Sequence, residues 1–165
     1  MYSKILVPVD GSETSTRGLN EAIKIAKTQG SELRLVHIVN EFILNYTYAP
    51  GLYAESLIES LVKAGREVLD TAGKAATRGG VKADTVLIES IGGVAADLIM
   101  AQAKQWQPDL IVMGTHGRRG LARLALGSDA EQVVRAATMP VMLVRGIEQQ
   151  GRVVPEVKLV EPFAA

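Results

Sequence analysis

Apolar positions along the 165-residue chain switch between two spacings. Short continuous runs have the length and branched character of buried strands: Ile5-Leu6-Val7-Pro8-Val9, Leu33 to Val39, Val86-Leu87-Ile88, Leu110 to Met113, and Pro140 to Val144. Between the runs, apolar residues recur three and four apart. Leu19, Ala22, Ile23 and Ala26 predict one helix, and Leu57, Leu61, Ala64, Val68 and Ala72 predict a long second one. A third starts at Ala95, Leu98 and Ile99 and cannot continue through Pro108, and a fourth carries Ala130 to Ala137. Asp10-Gly11-Ser12 forms a turn with Ser12 as N-cap, Gly30 closes the first helix, and Gly79-Gly80 stops the second. Strand and helix alternate, which is the pattern of an α/β fold with a parallel sheet covered on both faces.

One domain over residues 1–146 accounts for these elements. The remaining 147–165 differ, with Gly151, Pro155 and Pro162 separating short apolar pieces such as Val157-Lys158-Leu159-Val160. Two readings stand for this C-terminal tail: a loosely held end, or an arm that packs along a neighbouring subunit.

Charge and composition narrow the chemistry. Lys and Arg together equal Asp and Glu, so no basic surface recommends a nucleic-acid partner. The chain has no cysteine, which removes disulfide scaffolds, thiolate metal sites and a cysteine nucleophile together. Met1-Tyr2-Ser3-Lys4 runs into the first strand without a secretory apolar region, and no apolar run reaches membrane-spanning length. The expectation is a cytoplasmic protein with no membrane partner.

The candidate chemistry follows the fourth strand. Gly114-Thr115-His116-Gly117 is separated by nine residues from Gly127-Ser128 at a predicted helix start. Glycines let main chain turn and approach a ligand, and free amides at a helix N-terminus attract an anion, so the pattern points to phosphate. The chain lacks the G-x-x-x-x-G-K-[ST] of a Walker NTPase and the G-x-S-x-G elbow of a serine hydrolase. Asp10 closes the first strand, either as a ligand contact or as a turn residue that satisfies loop amides. His37 lies on a buried strand and reads as a satisfied core residue. His116 either fixes the loop or touches ligand. Arg118, Arg119 and Arg123 offer guanidinium groups to phosphate or to water. Tyr46, Tyr48 and Tyr53 read either as a lid or as packing for the second helix, and Asn45-Tyr46-Thr47 matches a glycosylation pattern by chance.

Several blocks resemble the universal stress protein family. They are Lys4-Ile5-Leu6-Val7-Pro8-Val9-Asp10-Gly11-Ser12, Val36-His37-Ile38, Asp109 through Gly117, Gly127-Ser128, and Pro140-Val141-Met142-Leu143-Val144. The spacing of Gly114, Gly117, Gly127 and Ser128 is similar to the signature of that family's ATP-binding branch. The resemblance implies a five-stranded parallel sheet in the order 3-2-1-4-5, with ATP, ADP or AMP beyond the ends of strands 1 and 4. It implies that Pro8, Val9 and Asp10 meet the adenosine and that Ile38 offers main chain to the adenine edge. Met113, Gly114, His116, Gly117, Arg118, Gly127, Ser128 and Asp129 would then surround ribose and phosphates. It also implies a homodimer through the fifth strand, a regulatory or sensing role with an unknown protein client, and at most slow ATP hydrolysis or autophosphorylation. Asp129 and Glu131 in the first turn of the last helix leave two readings open: Asp129, or Asp10, holds Mg²⁺ on the nucleotide, or the carboxylates repel a triphosphate. In the second case the chain is an interaction module of the same fold.

Overall fold

The computed structural model describes residues 1–40, 54–90, 92–117 and 126–146. These form β1 (Lys4–Pro8), α1 (Glu13–Gln29), β2 (Glu32–Asn40), α2 (Ala54–Arg78), β3 (Ala83–Ser90), α3 (Ala95–Trp106), β4 (Leu110–Gly114), α4 (Ser128–Ala136) and β5 (Val141–Val144). All strand pairs are parallel, and the sheet order is β3-β2-β1-β4-β5. The predicted α/β order is therefore present.

Alternation along each strand divides the core into two layers, because successive side chains leave opposite faces of the sheet. Ile5, Val7, Leu33, Leu35, Leu110 and Val112 pack with Leu19, Ala22 and Ala26 of α1 and with Leu69, Ala72 and Ala76 of α2. Leu6, Val36, Ile111 and Met113 face the other way, onto Ala96, Ile99 and Ala103 of α3 and Ala130 and Val133 of α4. Each fully buried Leu or Ile in these layers is worth about 2–5 kcal/mol against truncation to Ala.

The local stops act as expected at α1. Ser12 accepts a hydrogen bond from the Ser15 amide, and Gly30 ends the helix at φ 72° with its N–H on the Ala26 carbonyl. The stripe of α2 departs from the expected one. Ala64 is exposed and Leu57 is 37% exposed, while Gly65, Leu69, Ala72 and Ala76 are buried. The reason is the close approach at Gly65, where an added Cβ would lie 2.8 Å from His37 Cδ2 and 2.9 Å from Leu87 Cδ1. A glycine brings the helix onto the sheet there, and hydrophobicity patterns give glycine no weight.

β1 sends its chain to the α1 face and β4 sends its chain to the α4 face. The strand order reverses at this point, and in an open α/β sheet such a reversal marks the crevice at the carboxyl ends of the two strands.

Candidate functional site: a glycine-spaced crevice at the carboxyl ends of β1 and β4

Three loops meet at the crevice. After β1, Asp10 takes the Ser12 amide on Oδ1 at 2.9 Å, and its own amide donates to Ser15 Oγ at 3.1 Å. These bonds lock the carboxylate into the turn. Its second oxygen faces Gly117 of the β4 loop, where an added Cβ would be 2.7 Å from Oδ2. Two residues that the sequence places 107 positions apart are thus brought into contact.

The β4 loop is fastened from three sides. The Thr14 hydroxyl of α1 donates to the His116 carbonyl, the Thr115 amide donates to the Val144 carbonyl at 2.9 Å, and the Gly127 amide donates to the Thr115 carbonyl at 2.9 Å. The His116 ring lies 3.0 Å from the buried Thr115 hydroxyl through Nδ1, so part of its work is to fix the loop. Gly114 lies against α1, because a Cβ there would meet the Thr14 carbonyl carbon at 2.8 Å and the Ser15 nitrogen at 2.9 Å. Gly127 lies against the other arm, with a Cβ 3.0 Å from the Thr115 carbonyl oxygen. None of Gly114, Gly117 and Gly127 has a positive φ. Their absent side chains let segments of the protein touch, whereas the spacing alone suggested sharp turning and approach to a ligand.

The third component is the start of α4. Gly127 is its N-cap and offers no side chain; the first bond into the helix is Glu131 N–H to the Gly127 carbonyl, 2.9 Å. The amides of Ser128, Asp129 and Ala130 therefore have no partner among the described residues. They form the anion-attracting end of the helix. Ser128 and Asp129 are exposed at this mouth. Glu131 is turned away from it: Arg135, one turn on, holds its Oε1 at 2.8 Å through Nη2 and 3.1 Å through Nε. Of the two first-turn carboxylates, Asp129 alone is left facing the question of phosphate or Mg²⁺.

The remaining expected residues divide by layer. Pro8 is the last residue of β1 and is half-buried. Val9 and Met113 are buried, 5% and 6% exposed, and their side chains serve the two core layers. The Val9 amide donates to the Val36 carbonyl at 2.8 Å and its carbonyl meets His37 Nδ1 at 2.6 Å, so both Val9 main-chain groups already have protein partners. Ile38 packs its side chain toward the α3 layer. Arg118, together with Arg119, Arg123, the three tyrosines and the C-terminal tail, lies outside the described residues. Among the described residues no group of three or more His, Asp and Glu could hold a metal ion. No helix of the described residues is long and apolar enough to cross a membrane.

The universal stress protein family matches residues 1–145. Universal stress protein MJ0531 of Methanocaldococcus jannaschii is 38% identical over 146 residues, covering 88% of this chain and 83% of that one. The chain belongs to the universal stress protein family. The solved hypothetical protein MJ0577 superposes with a TM-score of 0.79 at 25% identity, over 90% of this chain and 99% of its own. The universal stress protein from Archaeoglobus fulgidus, in complex with dAMP, superposes with a TM-score of 0.61 at 25% identity over 87% of this chain and 98% of its own. Two more distant neighbours, a universal stress protein in complex with cAMP and one from Arabidopsis thaliana with AMP bound, share the fold at TM-scores of 0.61 and 0.63 and identities of 22% and 18%, covering 87% and 88% of this chain and 97% and 93% of their own. Adenine nucleotides are thus ligands of several relatives. The residues that sequence reasoning missed are Thr14, which ties α1 to the β4 loop, and Thr115, which joins both arms. A hydroxyl inside a helical first turn carries no signal of the Thr14 contact, and the Thr115 contacts are made by main chain, which no residue type announces.

Proposed function

We propose that this universal stress protein holds an adenine nucleotide, ATP or its di- or monophosphate, in the crevice between the β1 and β4 loops and acts as a dimeric nucleotide-dependent regulator. One observation carries the reading: two unsatisfied main-chain edges face one crevice. On one side the amides of Ser128, Asp129 and Ala130 await an anion. On the other, β2 runs past the last paired residue of β1, Pro8, and leaves main chain at Ile38 open to a base edge. Asp10 and Gly117 meet between them, at the place a ribose would occupy. The adenylate carried by the A. fulgidus relative supports the same choice of ligand.

Turnover is slow in this reading. The Ser12 amide fixes Asp10 Oδ1 in the turn and Arg135 draws Glu131 away, so no residue of the site is a dedicated general base held in line with an attacking water. Dimerisation is assigned to the edge strand β5, where Met142 is 37% exposed and Val141, Leu143 and Val144 are half-buried. An apolar edge strand is an aggregation hazard that pairing with a second copy removes. Leu143→Lys converts the dimer toward monomer in light scattering and leaves nucleotide affinity unchanged.

A thermal-shift scan with ATP, ADP, AMP and GTP, with and without Mg²⁺, tests the proposal. A ligand specific to the native state adds about 2.7 kcal/mol at a hundredfold excess over its Kd. If none of the adenine nucleotides raises the melting temperature, the nucleotide reading falls. The exposed Asp129 then favours the second reading, an interaction module that works through its dimer surface.

A further inference from the structure

Backbone groups of β2 alternate in direction along the strand. Even-numbered residues turn toward β1: the Glu32 amide donates to the Ser3 carbonyl at 2.9 Å, and the Val36 carbonyl accepts from the Val9 amide at 2.8 Å. Odd-numbered residues turn toward β3, as in the Leu33 amide on the Lys82 carbonyl at 2.9 Å. The N–H and C=O of Ile38 therefore point to the β1 side of the sheet, at the level where β1 has ended. Pro8 pairs with Val36, so continued parallel pairing would next place the Ile38 amide on the Val9 carbonyl. Among the described residues no such bond is made. The Val9 carbonyl instead meets His37 Nδ1 at 2.6 Å. A carbonyl can only accept, so Nδ1 carries the proton.

We infer that His37 is a positioning residue of the crevice: its imidazole takes the Val9 carbonyl and so keeps the Ile38 main-chain edge open for the base. This rests on the adenine-nucleotide reading above. A buried carbonyl demands a donor, and without the imidazole the nearest one in register is the Ile38 amide. The ladder would then extend by one residue and consume the edge. The ring is held to this task by burial against α2. His37 is 2% exposed, and α2 crosses it at Gly65, where a Cβ would come within 2.8 Å of Cδ2. The glycine that shifts the α2 stripe is thus also what makes room for the imidazole.

Three variants test the inference in nucleotide-free protein, by amide exchange at Ile38 and by calorimetry with AMP. His37→Leu removes the donor, His37→Asn returns an N–H close to the Nδ1 position, and His37→Gln places it one carbon too far. The Ile38 amide should exchange on the order of tenfold more slowly in His37→Leu and His37→Gln and at the wild-type rate in His37→Asn. AMP affinity should fall on the order of tenfold in the first two and hold in the third. Wild-type exchange and wild-type affinity in His37→Leu would overturn the inference. So would affinity lost equally in all three variants with exchange at Ile38 unmoved, which marks a packing role alone. If the wild type takes up no AMP, the nucleotide reading fails by itself, and the exchange rates still decide what His37 does.

Discussion

The two ends of the sheet treat main chain in opposite ways. At the amino end of the strands, side chains close what the backbone leaves open. Asp109 accepts from the Ser3 and Lys4 amides at 2.8 and 2.9 Å, and Lys4 Nζ reaches the Trp106 carbonyl at the end of α3. Arg34 grips Asp84 through Nε and Nη2 and stacks 4.7 Å from the Trp106 ring, with Lys4 at 5.4 Å. Cations thus collect where helices end and the dipole is negative. At the carboxyl end Ser12 caps α1, but the start of α4 has only Gly127, and donors at Ser128 to Ala130 are left over. A stable α/β domain can leave one end of its sheet chemically unfinished when the other is sealed, and the unfinished end is where a ligand completes the structure.

Substitutions at the two ends should separate binding from stability. The largest effect is expected for Gly127→Val, whose Cβ would press on the Thr115 carbonyl oxygen and pry α4 from the β4 loop. Calorimetry should show at least roughly hundredfold weaker nucleotide binding, from two or more lost bonds to charged phosphate, with about 1–3 kcal/mol of stability lost to overpacking. Wild-type affinity in this variant would place the site elsewhere. Arg34→Ala acts at the sealed end: about 1 kcal/mol of stability goes with the stack and the carboxylate fork, and the emission of Trp106, the chain's single tryptophan, should shift. Nucleotide titration should leave that emission unmoved.

Asp109→Asn is a smaller test, and its sign is set by pH. The Lys4 amide, then the Ser3 amide, hold the Asp109 carboxyl below its ordinary range. A lowered folded pKa means that the contribution is complete above the ordinary Asp value and is lost as pH falls through the lowered one. The melting temperature of the wild type should therefore drop more steeply on acidification than that of Asp109→Asn, and equal acid limbs would remove Asp109 from the seal. Smallest is Asp129→Asn. If the carboxylate holds Mg²⁺, binding weakens only with the metal present. If it repels phosphate, binding tightens with or without metal.

Much of this plan is legible in the amino-acid sequence. Strand runs, helix stripes and the caps at Ser12 and Gly30 follow from periodicity and turn chemistry, which are local. The strand order came instead from the family resemblance, because periodicity says nothing about which strands are neighbours. The glycine spacing points to the loops at the carboxyl ends of β1 and β4, and what it does not reveal is that Gly114 and Gly127 also accommodate protein main chain. The displaced stripe of α2 is invisible to periodicity, because Gly65 counts as neutral in a hydrophobic pattern. The repulsion expected from Glu131 ignored Arg135 four residues away, a pairing that helical spacing does contain. The bond from His37 to Val9 is tertiary and leaves no local mark.

The glycines of the crevice also differ in how they can be inherited. Since none of the three has a left-handed backbone, what forbids a side chain is the atom opposite. For Gly114 and Gly127 that atom belongs to main chain, of Thr14 and Ser15 in one case and Thr115 in the other, and no exchange of side chains can move it aside. For Gly117 it is the Asp10 carboxylate, which a shorter residue at position 10 would withdraw. As far as packing goes, positions 10 and 117 can therefore change together, whereas 114 has no room for a side chain and 127 takes one only if the Thr115 carbonyl gives by a few tenths of an ångström.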